Sequence, residues 1–243
     1  MNDVPGRRRV WPALVAASAL ALTCAAVAGV AASAAGAELT RGPDAAELER
    51  AAAEEVARRW RAWPTGRIFP ETVPYSAEQG GTERARRVGI SPETSCDRAV
   101  DARLREPLAR SGCRGILRAT YLDALQGVVL TVGVAAFPDP ASAASAETAL
   151  PRGGRPSPGL RALAFPDTVA ERFTPAVRQA SVARAGGPYL VMVTAGRADG
   201  RPAKSAGQPR PTLYAFTGDI ADRILTTVSA PARPDCSMPE WRC

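Results

Sequence analysis

Hydrophobic and polar positions follow several distinct patterns along this chain, and each predicts a different element. From Val10 to Ala37 no charged side chain occurs. A helix crossing the bilayer core needs about 20 apolar residues, so residues 10–37 are expected to form a transmembrane or signal-anchor helix. From Asp44 to Trp63, Leu48, Ala52, Val56 and Trp60 recur at helical spacing, and Glu54 with Arg58 and Glu55 with Arg59 form i,i+4 pairs. That pattern predicts an amphipathic helix leaving the membrane. Pro64 and Gly66 stop it, and the stretch through Pro70, Pro74, Gly80 and Gly81 reads as a long ordered loop or covering strap. Residues 83–95 fit no period clearly.

A short helix begins near Asp97. Arg114 to Asp123 and Val128 to Phe137 are rich in β-branched and aromatic residues and predict an antiparallel hairpin, with Val128, Leu130, Val132 and Val134 on one face. Pro138-Asp139-Pro140 ends it, and Asp139 is placed to cap a short helix over Ala141 to Leu150. After a Gly/Pro/Arg loop from Pro151 to Gly159, Gln179 to Ala185 and Tyr189 to Ala195 predict a second hairpin around Gly186-Gly187-Pro188. Gly200 to Pro211 is a polar loop, Thr212 to Phe216 an edge strand, and Thr217 or Asp219 starts a last helix through Val228. The expected fold is α+β: an antiparallel sheet built from two hairpins with helices mainly on one face, preceded by one N-terminal transmembrane helix.

Arg7, Arg8 and Arg9 precede the apolar run. By the positive-inside rule they stay cytoplasmic, which puts the rest of the chain across the cell membrane as a single-pass, extracytoplasmic domain. The organisation expected is a basic tail (1–9), the membrane helix (10–37), a juxtamembrane helix and linker (38–82), the α+β domain (83–230) and a C-terminal tail (231–243). Two other fates for the apolar run stay open. Ala35-Gly36-Ala37 resembles a signal-peptidase site, and Leu22-Thr23-Cys24 faintly resembles a lipidation site.

Cysteine usage suits an oxidising compartment, since Cys24 lies in the apolar run and Cys96, Cys113, Cys236 and Cys243 lie beyond it. Four cysteines allow three pairings. The pairing favoured is Cys236 with Cys243, closing the C-terminal tail, and Cys96 with Cys113. One straight helix from Asp97 to Arg110 would span about 20 Å, whereas a disulfide needs Cα atoms within about 7 Å. Pro107 resolves the conflict if it ends the helix near Arg105.

The net charge of +7 comes almost wholly from arginine, with Lys204 the one lysine. Histidine is absent, which removes Ser-His-Asp and Cys-His systems and the commonest zinc sites. Lys204-Ser205 falls in a solvated loop, and the glycine pairs lack the spacing of a phosphate loop. No cofactor, metal or catalytic residue is expected. Asp123, Asp139, Asp167 and Asp199 are the candidates for a carboxylate-based hydrolase acting on envelope polymer, although each also reads as a turn or cap residue. Arg84 to Arg87 and Arg152 to Arg161 could meet anionic lipid or wall polymer. Nucleic acid is not an expected partner, because the aromatics do not interleave with the arginines.

The stretch Cys96 to Phe137, with Gly112-Cys113-Arg114, Leu117-Arg118-Ala119-Thr120-Tyr121 and Val128 to Val134, resembles a group of actinobacterial membrane-anchored extracytoplasmic proteins to which no activity is assigned. The resemblance covers about a third of the chain and implies a disulfide-flanked helix leading into a hairpin. The layout is also similar to extracytoplasmic sensor domains of receptor kinases, without a kinase domain here. The expectation is a non-enzymatic, membrane-anchored domain that binds a protein or a cell-envelope component.

Overall fold

A computed structural model describes residues 11–202 and 211–232. The chain divides into two compact units, Met1–Glu47 and Leu48–Cys243. In the first, helix α1 (Trp11–Thr40) carries the apolar stretch Leu14–Ala37. Its 24 residues reach about 36 Å at 1.5 Å per residue, more than the hydrocarbon core of about 30 Å. Leu14, Leu20, Leu22, Val27 and Val30 are all exposed, so the helix offers apolar surface on every side and is long and apolar enough to cross a membrane. Asp44 and Glu47 then form a capping box: Glu47 N donates to Asp44 Oδ1 at 2.8 Å and Asp44 N to Glu47 Oε2 at 2.9 Å. This starts helix α2 (Ala45–Ala62).

The second unit is built on a six-stranded antiparallel sheet, and its α+β class is the one expected. After a single turn of helix, α3 (Thr65–Ile68), come β1 (Thr72–Ser76) and β2 (Thr82–Ile90). Two short helices, α4 (Cys96–Ala99) and α5 (Ala102–Arg110), lead to β3 (Gly115–Leu122) and β4 (Val128–Ala136). Helix α6 (Pro140–Thr148), β5 (Arg178–Gly186), β6 (Tyr189–Arg197) and α7 (Phe216–Ser229) complete the unit. Strand order is β1-β2-β3-β4-β6-β5.

Every residue of β3 and β4 is buried, because both faces of the central sheet are covered. The two long helices share one face, where Val56 of α2 and Ile220, Ile224 and Val228 of α7 pack on Leu117, Tyr121, Val132 and Val191. On the other face Leu104 and Leu108 of α5 and Ala143 and Ala146 of α6 pack on Ile116, Ala135, Leu190 and Met192. α2 is held by a buried ion pair, Arg59 to Glu55 at 2.6 Å. Arg59 Nη1 also donates to the carbonyls of Val228 and Ala230 at 3.1 and 2.8 Å, satisfying the C-terminal end of α7.

Three local expectations differ. The stretch read as a loop or strap through Pro70 and Gly81 is a third hairpin, β1–β2; Gly80 and Gly81 supply positive φ at its turn. Pro74 is tolerated because β1 is an edge strand. Thr212 to Phe216 is no edge strand: Pro211–Tyr214 is a 3-10 turn that runs into α7. There Tyr214 turns inward and donates to Gln179 Oε1 at 2.8 Å, so burial of one aromatic ring outweighs strand propensity. Finally, Pro107 does not end its helix; the break falls earlier, at extended Val100, which bridges to Leu160.

Candidate functional site

The irregular segment between α6 and β5 crosses the second sheet face as a strap. It enters on backbone bonds: Asp101 N donates to Gly159 O at 3.0 Å and Arg161 N to Ala99 O at 2.8 Å. Its middle is clamped by two fully buried threonines of neighbouring strands. Thr120 Oγ1 donates to Leu163 O at 2.7 Å, and Leu163 N donates to Thr131 Oγ1 at 3.0 Å. Its far end buries Ala170 and Phe173 with Leu122 and Val129. Glycines make the close approach feasible. A Cβ on Gly133 would stand 2.6 Å from Leu160 Cδ1, and one on Gly196 would stand 2.4 Å from the Val177 carbonyl.

Two buried arginines lie on this covered face. Arg178, at the start of β5, is 6 % exposed and fully engaged: its Nη2 donates to Asp101 Oδ2 at 2.9 Å and its Nη1 to Leu160 O at 2.7 Å. Arg118 of β3 is also 6 % exposed, yet its Nε has no hydrogen-bond partner and it forms no ion pair among the described residues. It pairs in register with Gly133, whose face Leu160 covers, and the charge of the next strap residue, Arg161, acts on it. Burial lowers the Arg118 pKa, the Arg161 charge lowers it further, and Glu93 opposes both. Glu93 is itself committed elsewhere, accepting from Arg98 Nη1 at 2.7 Å and Ser95 N at 2.9 Å. Arg161 is exposed and also lacks an ion pair among the described residues.

A hollow flanks the strap at either end. One cavity of about 340 Å³ is lined by Glu147, Arg152, Gly154, Leu160, Ser181 and Met192. A groove of about 660 Å³ at the other end is lined by Arg86, Val88, Leu122, Asp167, Val169 and Arg172.

Cys96 and Cys113 are disulfide-bonded with Cα atoms 6.5 Å apart, fastening α4 to the start of β3. Cys236, Cys243, Lys204 and Ser205 lie outside the described residues. The four aspartates do not form one cluster. Asp123 accepts from Val128 N in the β3–β4 turn, and Asp139 caps α6 by accepting from Ser142 N, each at 2.8 Å. They sit beyond opposite ends of β4. Asp199 accepts from Arg201 N at 3.0 Å after β6, and Asp167 occupies a positive-φ position in the strap. Hydrogen bonds from Ser142 hold the Asp139 carboxyl below its ordinary pKa, and the Arg201 amide does the same for Asp199. That is the wrong direction for a general acid. Among the described residues no group of three metal-ligating side chains converges.

Of the arginine stretches singled out in sequence, Arg86 reaches the groove and Arg152 the cavity, while the Arg161 charge acts on Arg118, which the sequence pattern alone did not single out. The signal was available: Arg118 is the one charge inside the apolar run Ile116 to Leu122. The chain matches no protein-family model, no curated protein and no solved structure.

Proposed function

We propose that this chain is a non-enzymatic, membrane-anchored domain that stands outside the cytoplasm and binds a protein or a cell-envelope component. One observation carries the reading: a helix apolar enough to span a bilayer precedes a domain closed by the Cys96–Cys113 disulfide, a bond that persists in oxidising compartments. Arg7 to Arg9, before the helix, favour a cytoplasmic N-terminus. The strapped sheet face, with its flanking hollows, is the surface assigned to binding, and the arginines along it suit an anionic partner better than an apolar one. A carboxylate hydrolase is the weaker reading, because Asp123 and Asp139 are at opposite ends of a strand and the Asp139 and Asp199 carboxyls are stabilised in their ionised form.

Crosslinking in intact cells, followed by mass spectrometry of what is attached to the domain, tests the proposal. Recovery of one recurrent membrane protein or envelope component supports it. Crosslinks only to cytoplasmic proteins would overturn the location, and release of cleaved polymer by the purified full chain would overturn the non-enzymatic reading.

A further inference from the structure

We infer that Arg118 and Arg161 together form a binding site for a phosphate group, free or esterified. The inference goes beyond the proposed function and stands whichever side of a membrane the domain occupies. Four observations carry it. Arg118 is 94 % buried, being 6 % exposed, and its Nε is orphaned. The strap crosses the face on which it lies, from Leu160 against Gly133, the register partner of Arg118, to Leu163 against Thr120, and so carries Arg161 over this part of the sheet. Neither guanidinium has an ion pair among the described residues. Glu93, the acid whose charge acts on Arg118, is already bonded to Arg98 and the Ser95 amide.

A guanidinium N–H buried without an acceptor is costly, and arginine does not escape the cost by losing its proton. An anion would supply the acceptor that Arg118 Nε lacks. Two neighbouring guanidinium groups, one buried and one at the rim, match a tetrahedral oxyanion with several acceptor oxygens and more than one negative charge. The contrast with Arg178 is direct, since that equally buried guanidinium has its carboxylate, Asp101, built in. The main chain at Arg118 is also braced: Ser91 N donates to Arg118 O at 2.9 Å, and the segment beyond leads to the disulfide at Cys96.

The test is thermal unfolding of the full chain in non-ionic detergent, with inorganic phosphate titrated against sodium chloride at matched ionic strength. Phosphate should raise the melting temperature saturably and chloride should not. Arg118→Met should abolish the phosphate-dependent rise. Arg161→Gln, at an exposed position that the fold does not need, should weaken phosphate affinity about tenfold, the effect of losing roughly one charge-assisted contact of about 1.4 kcal/mol. Arg84→Gln, on β2 opposite Pro74, should leave the response unchanged. Glycerol phosphate in place of phosphate separates an esterified ligand, which gives the same Arg118-dependent rise, from free phosphate, which alone does so. Equal effects of phosphate and chloride, or an undiminished response in both Arg118→Met and Arg161→Gln, would overturn the inference.

Discussion

Arg178 and Arg118 sit on the same covered sheet face and are equally buried, yet the fold treats them in opposite ways. Arg178 is part of the scaffold: Asp101 neutralises it, and the Pro175 and Leu160 carbonyls accept from its Nε and Nη1. Arg118, on β3 three strands away from β5, has none of this. Arginines that hold a protein together carry their counter-charge with them. An arginine buried without one has a different task, and that difference separates architecture from function in a chain where arginine is abundant everywhere.

Substitutions should split the pair. Arg178→Met leaves Asp101 with a partly buried, unpaired charge and frees the start of the strap, so a loss of about 3–5 kcal/mol is expected in chemical denaturation. Replacing Cys96 and Cys113 by serine should cost about 3 kcal/mol, the chain-entropy value for a loop of this size. Arg118→Met, measured in chloride without phosphate, should instead stabilise the domain by about 1–3 kcal/mol by removing an unsatisfied buried donor. If it destabilises as Arg178→Met does, the comparison fails. A smaller effect follows from pH. Burial raises Tyr189, whose hydroxyl donates to Val56 O at 2.6 Å, to about 12. A group with a folded pKa above its unfolded value of 10.0 contributes its stability fully below about pH 10 and loses it as pH rises towards about 12. Denaturation midpoints should fall across that window, and Tyr189→Phe should flatten the fall. The smallest change is expected for Asp139→Ala, which removes the cap of α6 and should lower the melting temperature only slightly.

The elements with strong periodicity were legible from sequence. The β3–β4 and β5–β6 hairpins, the Asp139 cap, the amphipathic α2 and the apolar α1 all announce themselves through local pattern. The β1–β2 hairpin did not, because prolines and arginines break the alternation and its register comes from pairing with β3. The strap was legible only as a loop. Its course depends on contacts such as Thr120 with Leu163, more than 40 residues apart in sequence, which no local window contains. The setting of Arg118 was half visible. A charge inside an apolar strand could be noticed, but that the charges of both Arg161 and Glu93 would act on it is a tertiary fact.

The close seating of the strap on the sheet also limits how freely this chain can drift in evolution. At Gly133 the atom in the way is the end of a leucine side chain, which a compensating change at residue 160 could shorten. At Gly196 it is the main-chain carbonyl of Val177, which every amino acid carries, so no substitution at that neighbour could make room. Residue 196 should therefore tolerate nothing but glycine for as long as the strap stays in place, whereas residue 133 can vary in step with residue 160.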